Sequence, residues 1–133
     1  MGLSQKILDE IDRVEKKTSH LSGLDFIIAL NYGGRQEIVH AVSRLLKDLK
    51  SEPASEITEE AISQRLYTGG IPDPDLVIRT SGEMRVSNFL IWQCSYSELY
   101  FCDVLWPDFN EDCLRKALLS YQGRQRRFGG VKC

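Results

Sequence analysis

The feature that most constrains this chain is the short apolar run Leu76-Val77-Ile78, joined without a break to a loop rich in arginine and hydroxyl side chains. The run has the length and β-branched content of a buried strand. Directly after it come Arg79, Thr80, Ser81 and Gly82, then Arg85, Val86, Ser87 and Asn88. In an open α/β sheet, ligands bind at the loops leaving the carboxyl ends of strands. Two arginines, three hydroxyls and a permissive glycine on such a loop suit a phosphate-rich anion. Arginine brings a planar fork of donors, hydroxyls add single hydrogen bonds, and Gly82 lets backbone amides approach. Farther on, Glu98 offers the hard oxygen that suits a divalent cation held over the same anion. The spacing also admits plainer readings: an Arg79–Glu83 ion pair, and Ser87-Asn88 as the cap of a helix beyond them.

The flanking sequence predicts an α/β order around that segment. Ile7, Leu8, Ile11 and Val14 form one stripe of a helix over 4–19, with Ser4 as N-cap and Asp9–Arg13 and Asp12–Lys16 pairs on its polar face. Residues 24–30 are nearly continuous apolar and predict a strand buried on both faces. The turn Asn31-Tyr32-Gly33-Gly34-Arg35 leads into a helix over 35–49, with Ile38, Val39, Val42, Leu45, Leu46 and Leu49 facing inward. Strand, glycine turn and helix make a phosphate-cradle layout, and equally a tight structural turn. Pro53 marks residues 51–57 as a linker, Thr58 caps a short helix to about 66, and two glycines with two prolines make 68–74 a loop. Next come the strand at 75–79, a helix over 87–95 and a strand from Glu98 to Cys102. After Trp106-Pro107, Asp108 with Glu111 predicts a capping box for a last helix carrying Leu114, Ala117, Leu118 and Tyr121. The expected architecture is α/β and three-layered, a mostly parallel sheet of three strands flanked by helices, in a single domain over 1–133.

Composition narrows the partners. With 17 basic and 19 acidic residues the net charge is −2, so no bulk field favours nucleic acid. Residues 3–17 are charged and amphipathic and contain no signal-peptide core, and no apolar run approaches the length of a membrane span. Cys94, Cys102, Cys113 and Cys133 form no CxxC pair, which argues against zinc and for reduced thiols in a cytoplasmic protein.

The segment from Asp75 to Gln93, continued by Tyr96, Glu98 and Phe101, resembles the signature of the cis-prenyltransferases, the undecaprenyl diphosphate synthase or isoprenyl transferase family. The match, Asp-Leu-Val-Ile-Arg-Thr-Ser-Gly-Glu-Met-Arg-Val-Ser-Asn-Phe-Leu-Ile-Trp-Gln, keeps register throughout. It extends upstream through Asn31-Tyr32-Gly33-Gly34-Arg35 and downstream through Arg126-Arg127-Phe128-Gly129-Gly130.

The resemblance implies a prenyltransferase that condenses isopentenyl diphosphate with allylic diphosphates into cis-polyprenyl diphosphates. It implies that Arg79, Arg85 and Ser87 hold isopentenyl diphosphate, with Val86 contributing through its backbone, and that Glu98 helps bind Mg2+. Arg127 and Gly129 match the family's C-terminal Arg-x-Gly, which reaches the partner's site in a homodimer. A peripheral membrane association through the lipid product is implied as well. The family's Asp-Gly-Asn-Gly-Arg-Trp segment, whose aspartate drives allylic ionisation, does not occur in these residues, so no catalytic residue is assigned. The chain therefore resembles the C-terminal portion of such an enzyme, carrying the isopentenyl diphosphate and magnesium half and expected to be inactive alone. The alternative is a non-catalytic partner subunit of a heteromeric cis-prenyltransferase.

Overall fold

The computed structural model describes residues 3–51 and 56–126. By its contacts the chain divides into two compact units, Met1–Leu30 and Asn31–Cys133.

The first unit holds helix α1, Gln5–Thr18, which starts after an extended Ser4 whose side chain makes no capping bond. Its polar face is laced by local pairs, one of them shifted from expectation. Arg13 takes Glu10 bidentately at 2.5 and 2.9 Å, while Asp9 accepts from Gln5 Nε2 at 2.8 Å. Lys16 meets Asp12 at 2.6 Å as expected. The strand expected at 24–30 does not form. An apolar run supplies strand propensity, but a strand exists only through a hydrogen-bonded neighbour. Among the described residues none pairs with it, and Leu24 and Phe26 stand 85% and 80% exposed.

In the second unit, helix α2 spans Gly34–Ser51. Its buried line is Glu37, Ala41 and Leu45, at i, i+4 and i+8, whereas Val39 and Leu46 face outward. The helix is rolled from the expected apolar face because Glu37 turns inward to hydrogen-bond partners. Helix α3, Glu59–Ser63, begins where Thr58 Oγ1 accepts from Ala61 N at 3.1 Å, the expected cap. It stops three residues earlier than expected, and Leu66 is buried in the turns beyond it.

Strands β1, Leu76–Arg79, and β2, Glu98–Phe101, pair in parallel, in register from Leu76 opposite Glu98 to Arg79 opposite Phe101. Helix α4, Glu111–Gln122, packs against β2, and Ala117 is its buried residue. Its N-cap is Asn110, accepting from Cys113 N at 3.2 Å, and not Asp108, which sits in a 3-10 turn begun by Trp106-Pro107. Pro107 suits that earlier turn, and the true helix starts after it. The fold is α/β, a parallel sheet flanked by helices, with two paired strands among the described residues where three were expected.

The helix expected over 87–95 is absent. Ser87, Asn88 and Leu90 adopt left-handed backbone, with φ of 45°, 64° and 44°, which no α-helix permits. Only Gln93–Tyr96 coils, as a 3-10 turn.

Candidate anion site

The loop leaving β1 is fastened to the loop leaving β2. Cys102 N donates to Arg79 O at 3.0 Å, Gly82 N to Cys102 O at 2.9 Å and Ser81 N to Val104 O at 2.9 Å. Gly82 has φ 71°, the left-handed conformation that favours glycine, and a Cβ there would stand 3.3 Å from Asp103 Oδ1. The chain then folds back over the strand end. Arg79 Nη1 donates to the backbone carbonyl of Arg85 and, at 3.0 Å, to Ser87 Oγ. Arg85 is ion-paired with Glu83, which therefore does not take Arg79.

Pleating sends alternate side chains of paired strands to the same face. Val77, Arg79, Leu99 and Phe101 share one, and with Arg85, Val86 and Phe89 they line a cavity of about 210 Å3. Apart from Arg79 and Arg85 its lining residues are apolar. Arg79, Arg85, Val86 and Ser87, singled out from the sequence, are thus brought together. A second cavity, about 310 Å3, lies by α3 between Glu60, Ser63, Thr68 and Asp73. Two carboxylates and no cation make that one unsuited to a polyanion.

Glu98 is not part of this gathering. It opens β2 opposite Leu76, three residues from Phe101, so it points to the other face, about 10 Å back along the strand. Arg124 Nη1 binds its carboxylate at 2.7 Å, and Arg126 binds Asp75 and, at 3.0 Å, the Tyr121 hydroxyl. Among the described residues no three His, Cys, Asp or Glu side chains cluster as metal ligands. One carboxylate already neutralised by arginine does not by itself fit a magnesium ion, which wants near-octahedral oxygen donors. Arg127 and Gly129 lie outside the described residues.

Sequence reasoning missed a buried polar centre behind the site. Glu37, 1% exposed, accepts from the Tyr32 hydroxyl, from Tyr67 N at 2.8 Å and from Gln93 Nε2 at 3.2 Å to each oxygen. Gln93 Nε2 also reaches Thr68 Oγ1 at 2.9 Å. Burial, and then the Glu37 carboxylate beside it, hold the Tyr32 phenol well above its ordinary range. The Tyr32 ring meets Phe89, a wall of the 210 Å3 cavity, edge to face at 5.7 Å. In the sequence Glu37 reads as a solvated acid of a first helical turn. The available signal was its i, i+4, i+8 spacing to Ala41 and Leu45. Asn88 was missed in its actual role too: it caps α2, not a helix of its own.

Known proteins bear on this geometry. The family model described as "Putative undecaprenyl diphosphate synthase" matches residues 1–129. An isoprenyl transferase of Thermotoga maritima is 53% identical over 130 residues, covering 98% of this chain and 56% of that protein. A ditrans,polycis-undecaprenyl-diphosphate synthase ((2E,6E)-farnesyl-diphosphate specific) of Micrococcus luteus is 54% identical over 119 residues, 88% of this chain and 48% of that protein. Among solved structures, lavandulyl diphosphate synthase from Lavandula x intermedia, in complex with dimethylallyl diphosphate, superposes with a TM-score of 0.90 at 39% identity. That match covers 96% of this chain and 56% of that one. The chain spans about half the length of the curated relatives it matches.

Proposed function

The chain belongs to the undecaprenyl diphosphate synthase family, the cis-prenyltransferases, and from that premise we propose that it carries the isopentenyl diphosphate half of a prenyl-transfer site. The observation that carries this is the convergence of Arg79, Arg85 and Val86 on an apolar cavity floored by Val77 and Leu99, with Ser87 hydrogen-bonded to Arg79. A diphosphate head needs several cationic and hydroxyl donors, and a branched five-carbon tail needs a dry pocket; the loop and the sheet face supply one each. The Micrococcus relative's name specifies farnesyl diphosphate and the lavandulyl synthase holds dimethylallyl diphosphate, so both point to allylic diphosphates as the second substrate class.

In such a condensation the allylic carbon–oxygen bond breaks and diphosphate leaves with the electron pair. The isopentenyl double bond forms the new carbon–carbon bond, and a proton is lost from the carbon next to it. The residues of this chain position one partner in that step. Arg79, Arg85 and the Ser87 hydroxyl grip the diphosphate, and the Val86 amide adds a backbone donor. Phe89 and Phe101 hold the tail away from water, so the double bond is aimed, not mobile. Magnesium, when bound, neutralises diphosphate charge. Glu98 would be the residue that helps hold it, on the face of the sheet opposite the arginine cavity, once Arg124 releases its carboxylate. Arg127 and Gly129 belong to the proposal as the segment reaching a second copy in a homodimer.

The family model runs across both compact units, which supports one functional domain. No helix among the described residues is long and apolar enough to cross a membrane. A cytoplasmic location, with the bilayer met through the lipid product, belongs to the proposal. These 133 residues contain no Asp-Gly-Asn segment, so on their own they bind isopentenyl diphosphate without condensing it. Calorimetric titration tests the reading. Isopentenyl diphosphate should bind the chain more tightly than inorganic pyrophosphate, because the cavity adds to the head-group contacts. Equal affinities would mean the cavity plays no part, and no binding of either would remove the site.

A further inference from the structure

The start of α2 has the layout of a phosphate cradle, yet its first two amides are already taken. Gly34 N donates to Asn88 O at 2.8 Å, and Arg35 N donates to Asn88 Oδ1 at 2.9 Å, across 53 residues of sequence. Amides at a helix start draw phosphate because they lack partners, and these have them. The two glycines serve close packing instead. A Cβ on Gly34 would stand 2.8 Å from Ile91 Cγ1 and 3.1 Å from Asn88 O, and one on Gly33 would stand 3.0 Å from Asn88 Nδ2. Without side chains, the first turn of α2 lies directly on the segment that succeeds Ser87.

That segment holds a conformation it would not keep unaided. Ser87 and Asn88 both have positive φ, 45° and 64°, in the region L-residues seldom occupy. Asparagine is among the few residues that tolerate it, and here both its carbonyl groups are fastened. One residue upstream, Ser87 Oγ receives Arg79 Nη1, the same nitrogen that donates to Arg85 O. A continuous path therefore runs from the α2 amides through Asn88 and Ser87 to the Arg79 guanidinium and the backbone of Arg85.

We infer that Asn88 is a positioning residue of the anion site: it staples the Arg79–Ser87 loop to the first turn of α2, so that the loop meets a diphosphate already shaped. The inference rests on the diphosphate reading of this loop. Asn88 does not touch the ligand; its influence passes through Ser87 to Arg79.

Titration of the 133-residue chain with inorganic pyrophosphate tests it. Asn88→Gly deletes the Oδ1 acceptor while keeping the backbone carbonyl and an easy positive φ. Losing one hydrogen bond that shapes the site should weaken binding by about fivefold to tenfold. The same bond can be cut from its other end. Arg35→Pro removes the donor in a helical first turn, where proline is tolerated, and Arg35→Ala removes the same charge while keeping the donor. Arg35→Pro should bind several-fold more weakly than Arg35→Ala, and this pair decides the matter if Asn88→Gly melts. A double-mutant cycle separates positioning from general loosening. In an Arg79→Ala background, Asn88→Gly should cost less than about twofold, because its path ends at Arg79. The same factor in both backgrounds would overturn the inference. So would wild-type binding with Asn88→Gly and Arg35→Pro both unchanged, which leaves the diphosphate reading intact. A wild-type chain that ignores pyrophosphate removes that reading itself, and the staple with it.

Discussion

Replacing Glu37 by leucine should cost the second unit a large part of its stability. The carboxylate accepts four contacts from three donor groups, and leucine accepts none. Gln93 Nε2 keeps Thr68 Oγ1 at 2.9 Å, so the donors left without a partner are the Tyr32 hydroxyl and Tyr67 N. Each partly buried orphan costs about 1–3 kcal/mol, and partial exposure places their sum near 3 kcal/mol. In a unit of this size that is a fall in Tm of roughly 10–20 °C. Glu37→Gln should recover most of it. Gln93 Oε1 is buried without a hydrogen-bond partner, so turning its amide can present an acceptor to the new side-chain NH2. Circular-dichroism melts of the three proteins give the answer. A leucine variant within about 1 kcal/mol of wild type would refute the buried network as a source of stability.

The same geometry sets three further outcomes. Arg79→Ala or Arg85→Ala, placed in a full-length relative, should weaken isopentenyl diphosphate use by roughly tenfold to a hundredfold and spare allylic diphosphate binding, as losing a charge-assisted bond of about 1.5–3 kcal/mol requires; unchanged kinetics for isopentenyl diphosphate would take both arginines out of the site. Glu98→Gln should leave the melt within about 1 kcal/mol, since the partly exposed Arg124 pair is a weak one, and at the matching position of a full-length relative it should blunt the magnesium dependence; an overlaid magnesium titration would make Glu98 the anchor of Arg124 alone. Burial pushes the Cys94 thiol up, with Asp73 adding to the shift, so its iodoacetamide alkylation at pH 8 should be slower than that of a free cysteine peptide, and equal rates would contradict the packing around it.

The strand pair β1 and β2 and the loop leaving β1 were legible because the information is local. Leu76 to Ser87 is one contiguous stretch in which an apolar strand hands directly to arginines and hydroxyls, and the structure gathers Val77, Arg79, Arg85 and Val86 around one cavity with Ser87 bonded to Arg79. Residues 24–30 were read as a strand on the same apolar evidence, but pairing belongs to a neighbour and cannot be found in the run itself. The helix expected over 87–95 failed for a related reason. Asn88 commits both carbonyl groups to amides 53 residues upstream and next to it, and that long-range demand overrides helical propensity. Glu37 shows the limit of hydropathy: an acid at a helix start faces water by pattern, and only Tyr32, Tyr67 and Gln93 converging from elsewhere make its burial tolerable.

The most direct test of the central claim is a backbone amide spectrum of the 15N-labelled chain titrated with isopentenyl diphosphate. If the site is the arginine loop over the apolar sheet face, shifts concentrate at Val77, Arg79, Arg85, Val86, Ser87, Phe89, Leu99 and Phe101, and saturate together. Shifts centred on the cavity beside α3, from Glu60 to Asp73, or none at saturating ligand, would contradict it.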